Sequence, residues 1–199
     1  FHKIRRFYES FSMFFNIIQT GATGICMPTS RDCDGMFGPV FMIKKDLFDS
    51  LGGYEHVRSQ VVEDYYLGKY YKSRCIRLNL HLGGSEISFR MYSNGFCQLL
   101  EGWSKNFSSG ANAAGNQMVF LTIVWITGIT VLPVELIIAY DRGWTWSAIT
   151  LSLAYILVVV QIFRISRKLG NFSFIHSFLY PVQLLAFHLI FIYSLLATK

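Results

Sequence analysis

Two adjacent carboxylates, Glu63 and Asp64, stand in the run Val61-Val62-Glu63-Asp64-Tyr65-Tyr66-Leu67-Gly68. A carboxylate set among aromatic side chains can act as a general base towards a hydroxyl brought beside it. The everyday meaning of such a pair is a solvated helix start, so its chemistry depends on what surrounds it. Downstream lies Gln98-Leu99-Leu100-Glu101-Gly102-Trp103-Ser104-Lys105-Asn106, preceded by Phe89-Arg90-Met91-Tyr92. Arg90 and Lys105 are cations close to this run, and Trp103 is an amphipathic ring of the kind that anchors at a membrane interface. After these residues the chain becomes strongly apolar.

The elements that must position these groups follow from the pattern. Residues 4–20 place Ile4, Phe7, Phe11, Phe14, Phe15 and Ile18 at near-helical spacing, which predicts an aromatic amphipathic helix lying on a core or at a membrane surface. Residues 21–36 read as a loop. Phe37–Ile43 reads as a short buried strand containing Gly38-Pro39, followed by a helix over about 45–51 that Gly52-Gly53 ends. A helix starting near Glu63 and running to Lys72 comes next, then strands around Cys75–Leu80 and Ile87–Met91. Residues 93–113 form an amphipathic helix with Phe96, Leu99, Leu100, Trp103 and Phe107 on one side.

Apolar stretches at about 118–140, 144–164 and 174–197 are each long enough to cross about 30 Å of hydrocarbon at 1.5 Å per residue. Pro133 and Glu135 interrupt the first. Arg164, Arg167 and Lys168 between the second and third place that loop in the cytoplasm by the positive-inside rule, and the Asp141 loop outside. Residues ahead of the first span are then cytoplasmic. Trp144 and Trp146 suit an interfacial belt.

Composition agrees with a membrane class. Of 199 residues, 52% are hydrophobic and only 15% charged, against about 25% charged in ordinary soluble domains. The net charge of +6 divides evenly between residues 1–118 and 119–199. Modest, spread basicity suits an anionic membrane surface or a phosphate-bearing ligand, and no recognition-helix or zinc-finger pattern points to nucleic acid. Cys26, Cys33, Cys75 and Cys97 show no Cys-x-x-Cys spacing, as in a reduced, cytosol-facing domain. The chain opens on Phe1-His2-Lys3, which fits a fragment.

The order of a Gly38-Pro39 strand, a basic turn, Gly52-Gly53-Tyr54 and then Glu63-Asp64 with Leu67-Gly68 resembles the acceptor half of inverting family 2 glycosyltransferases. The resemblance implies an α/β GT-A-type fold, here its C-terminal half over 1–92, an interfacial helix and linker over 93–117, and a membrane region over 118–199 with about three transmembrane helices. It implies Asp64 as the base, with Glu63 supporting it or acting in its place. The helix N-terminus is expected to keep that carboxylate ionised. Gly38, Pro39 and Tyr65 fall to acceptor binding.

Gln98 and Gly102-Trp103-Ser104-Lys105 resemble the family's Gln-x-x-Arg-Trp element, so Arg90, Gln98, Trp103 and Lys105 fall to the donor diphosphate and sugar. Gly102 stands where the family often has Arg. Arg6-Phe7-Tyr8-Glu9, Phe89-Arg90-Met91-Tyr92 and Glu101-Gly102-Trp103 carry a likeness, spanning most of residues 5–190, to bacterial members that glycosylate carotenoid acids; ceramide glucosyltransferases are more distant.

The activity so implied is inverting transfer of a hexose from a nucleotide sugar, UDP-glucose, to a lipid-soluble acceptor at the cell membrane, with the catalytic side cytoplasmic. Mg²⁺ or Mn²⁺ is expected for the full-length enzyme through a motif absent here. Asp32-Cys33-Asp34 spells the family's D-x-D signature but follows Pro28-Thr29-Ser30-Arg31 rather than a hydrophobic strand, and reads as a solvated loop. The rival reading is a non-catalytic membrane protein, or a binding fragment lacking the donor half.

Overall fold

A computed structural model describes residues 1–23, 35–36, 40–84, 86–113 and 116–197. A 3-10 turn at Phe7–Phe11 feeds α1 (Ser12–Ala22). Then come α2 (Lys45–Ser50), a second 3-10 turn at Glu55–Val57, and α3 (Glu63–Ser73). The described C-terminal part is mostly helical: α4 (Phe96–Ala113), α5 (Asn116–Asp141), α6 (Thr145–Leu169), α7 (Phe174–Phe178) and α8 (Tyr180–Ala197).

These helices form a bundle around α1. The pairs α5–α6 and α4–α8 pack most extensively, and α1 touches α4, α5, α6 and α8. Met13, Phe14 and Phe15 of α1 are fully buried with Leu99, Ile162, Phe172 and Phe187. The aromatic stripe of α1 is therefore a core face. A smaller cluster of Val57, Leu67 and Tyr71 holds α3 against the Glu55–Val57 turn.

The expected α/β architecture is not what the chain forms: among the described residues there is no β-strand. Segments 75–80 and 87–91, expected as strands, are irregular, as are residues 40–43 at the end of the expected Phe37–Ile43 strand. A strand exists only through its ladder partners, and here pairing shrinks to two isolated parallel bridges, His2 with Phe89 and His2 with Gly170. These bridges stitch the N-terminus to the end of α6. Asn171 adds a clamp, its side-chain amide donating to the Ile4 carbonyl (3.0 Å) and its oxygen accepting the Ile4 N–H.

The third expected span is also corrected. Among the described residues two helices, α5 and α6, are long and apolar enough to cross a membrane; the apolar stretch Tyr180–Leu196 is shorter. The chain turns at Leu179 (φ −86°, ψ 27°), and Pro181 has no N–H to carry the α7 hydrogen-bond ladder into α8. In the most apolar windows of α5 and α6 only 6% and 17% of residues are buried. Their side chains, Ile137, Leu153 and Leu157 among them, point away from the protein.

Candidate active site

Glu63 and Asp64 open α3, but neither side chain caps it; the N-cap is Val62. Glu63 is exposed, whereas Asp64 is half-buried, at helical spacing from Leu67, Gly68 and Tyr71. Burial first, and then the neighbouring Glu63 charge, push the Asp64 carboxyl above its ordinary value. The helix N-terminus was expected to hold it down; desolvation outweighs that field. The consequence is a more basic carboxylate.

Sequence reasoning missed Tyr54 as a site residue. Gly52 (φ 76°) and Gly53 (φ 57°) are both left-handed, a conformation that glycine adopts without penalty, and they set Tyr54 beside the acidic pair. Burial and then the Asp64 and Glu63 charges raise its phenol. Phe48 meets its ring edge-on at 5.5 Å. The signal was present in Gly52-Gly53-Tyr54, but nothing local says which later residues such a turn will face. Tyr65 is less available than its position suggests, since Gly35 packs against its ring and the Lys69 ammonium lies 4.9 Å from the ring centroid.

The donor-side candidates occupy the other part of the molecule. Arg90 Nε donates to Glu9 Oε1 at 3.0 Å, with Nη2 closing the ion pair. Glu9 is wholly buried; desolvation works against its charge, but Arg90 and the Arg5 and Arg6 N–H groups together hold its carboxyl below the ordinary value. Gln98 accepts the Asn94 N–H at 3.0 Å and so ties down the start of α4. Trp103 is only 1% exposed; it stacks on Phe15 at 4.6 Å and donates its indole N–H to Ser12 at 3.0 Å. Lys105 is exposed. Gly102 has a local explanation, because a Cβ there would fall within the Tyr92 ring.

A cavity of about 880 Å³ opens between the α3 cluster and the bundle, lined by Met36, Ile43, Leu78, Tyr71, His2 and Lys168 among others. Its size suits a small-molecule ligand. Neither acidic residue lines it; Tyr71, buried with no partner for its hydroxyl, is the α3 side chain that reaches it. Gly38, Pro39, Asp32 and Asp34 lie outside the described residues. Among the described residues no three His, Cys, Asp or Glu side chains are placed to hold a metal ion.

With this geometry in view, comparison with known proteins gives one consistent result. The chain is 28% identical over 198 residues to 4,4'-diaponeurosporenoate glycosyltransferase of Staphylococcus aureus strain MRSA252, covering 98% of this chain and 52% of that protein. The same figures hold for the USA300 and NCTC 8325 proteins of that name. The likeness runs along nearly the whole chain. The chain spans about half the length of the curated relatives it matches. No protein-family model matches it, and no solved structure does.

The aligned region thus includes the acidic pair; elsewhere, the N-terminus is held to the end of α6 by a buried joint. At that joint His2 is stacked between Phe89 (5.3 Å) and the edge of Phe172, and its Nδ1 meets the Asn16 side-chain amide at 2.8 Å. Burial pulls the imidazole down to about 4, against an opposing pull from Glu9, with the amino terminus adding a smaller downward push. The unfolded chain, with an ordinary histidine near 6.5, takes up the proton first as pH falls. Stability present above pH 6.5 is therefore lost between 6.5 and about 4, by on the order of 3 kcal/mol. Thermal melts across that window should show the slope, and His2→Gln should flatten it.

Proposed function

We propose that this chain is the C-terminal, acceptor-side part of a membrane-bound glycosyltransferase that moves a hexose from a nucleotide sugar, UDP-glucose, to a lipid-soluble acceptor such as a carotenoid acid. The observation that carries this reading is the likeness to a curated glycosyltransferase along 98% of the chain. The outward apolar faces of α5 and α6 support membrane insertion, since core helices of soluble proteins bury such faces. Lys168, in the basic last turn of α6, lines the same cavity as Tyr71 of α3. That pairing supports a cytoplasmic side for the acidic pair, by the positive-inside rule.

In the transfer, Asp64 takes the proton of a hydroxyl acceptor, or orients the oxygen of a carboxylic acid acceptor that is already ionised. The oxygen attacks the anomeric carbon, the bond to the diphosphate breaks, and the diphosphate leaves with the electron pair. Glu63 raises the basicity of Asp64, and Tyr54 flanks the acceptor. Lys105 is the cation offered to the leaving group, because the Arg90 guanidinium is already engaged by Glu9. Mg²⁺ or Mn²⁺, expected for the complete enzyme, would be held through a motif not present in this chain and would neutralise charge on the diphosphate.

The experiment is transfer of labelled glucose from UDP-glucose into lipid extracts by membranes carrying the full-length enzyme, beside membranes carrying residues 1–199 alone. Label should enter a lipid product only with the full-length enzyme. No transfer by the full-length enzyme to any carotenoid or other lipid would sink the reading.

A further inference from the structure

Glu135 is the sole acidic residue in α5–α8 other than Asp141, the last residue of α5. It lies six positions before that end, about 9 Å along the axis at 1.5 Å per residue. A carboxylate facing hydrocarbon at such a place is expensive unless it has a partner. Its own helix supplies none.

What surrounds it is a cleft of about 450 Å³ at the α5–α6 turn, lined by Glu135, Trp144, Trp146, Ser147 and Thr150 with Ala139 and Leu151. Trp146 is 83% exposed, so its ring is available at the mouth. Thr150 donates its hydroxyl proton to the Trp146 carbonyl at 2.8 Å, leaving its oxygen as an acceptor. Trp144 already carries a cation, with the Arg142 guanidinium 5.3 Å from its ring. Gly143, left-handed at φ 68°, makes the tight turn that brings the two helices together. The walls therefore offer one negative charge, hydroxyl acceptors and aromatic faces, on two helices that also expose Ile137, Ile149 and Leu153.

We propose that this cleft binds the primary ammonium headgroup of a membrane lipid of the phosphatidylethanolamine type. The carboxylate supplies charge complementarity and the Thr150 oxygen accepts an ammonium N–H. A Trp face attracts the cation through its ring quadrupole. The exposed apolar faces of α5 and α6 take the acyl chains, which a soluble amine lacks. Choline carries the same charge but has no N–H to give, so it satisfies the site less well. The inference rests on α5 and α6 crossing the membrane, as proposed above, and makes no use of sugar transfer.

The test is native mass spectrometry of the full-length protein released from nanodiscs containing equal parts phosphatidylethanolamine, phosphatidylcholine and phosphatidylglycerol. Retained phosphatidylethanolamine should exceed the other two several-fold. Glu135→Gln should abolish that excess and Thr150→Val should reduce it, with both variants still inserted by protease protection. Equal retention of the three lipids, or an excess that survives in Glu135→Gln, overturns the site while leaving the glycosyltransferase reading intact. Failure of the wild-type helices to insert overturns the site and the membrane placement together.

Discussion

Asp64→Asn in the full-length enzyme should lower kcat by about 100-fold or more towards a hydroxyl-bearing acceptor, the ordinary contribution of a positioned general base. The same substitution should leave the protein as stable or more so. The folded-state carboxyl sits above its ordinary value through burial and the Glu63 charge, so its ionised form disfavours the fold at neutral pH. That stability is present at low pH and is lost as pH rises through the raised value. A neutral amide removes the penalty. Loss of activity with an unchanged or higher Tm separates a chemical role from a structural one. A parallel fall in Tm and activity would defeat the assignment.

Glu63→Gln distinguishes the two carboxylates. If Asp64 is the base, activity fails on the acid side as it protonates, at a higher pH than an ordinary aspartate near 3.9 would set. Removing the Glu63 charge takes away the second cause of the shift, so the acid limb should move to lower pH while kcat on the plateau is largely kept. Complete inactivity of Glu63→Gln would hand the role to Glu63. With a carboxylic acid as acceptor the nucleophile is already ionised at neutral pH, and the Asp64→Asn loss should shrink.

Much of the helical framework was legible because it is written locally. Glu63 does begin α3, as the acidic pair before a helical run suggests, and the apolar runs behind α5 and α6 are unmistakable in length. Strands were misread because alternation and β-branched residues only describe a chain ready to pair, and Phe89 found a single bridge to His2 rather than a ladder. The third span looked continuous because composition carries no hinge; Pro181 was visible, but the turn at Leu179 depends on how α7 and α8 dock. Arg90 reads as a free cation until Glu9, 81 residues away, is seen buried beneath it.

The same difficulty governs Trp103, whose resemblance-based role is to stack on a sugar. Its ring is enclosed between Phe15 and the edge of Tyr92 (5.7 Å), and its N–H is used by Ser12. Trp103→Ala should therefore destabilise the bundle by about 3 kcal/mol or more, the usual result of emptying a large aromatic site. Trp103→Phe keeps an aromatic ring but strands the Ser12 hydroxyl, and should cost about 1–2 kcal/mol. Both effects should appear in the melting of the detergent-solubilised protein, with KM for the nucleotide sugar unchanged in Trp103→Phe. A sugar platform behaves in the opposite way: the alanine variant would melt normally and bind the donor poorly. That outcome would require Trp103 to leave the core during turnover, breaking the Ser12 hydrogen bond and the Phe15 stack that hold α4 against α1.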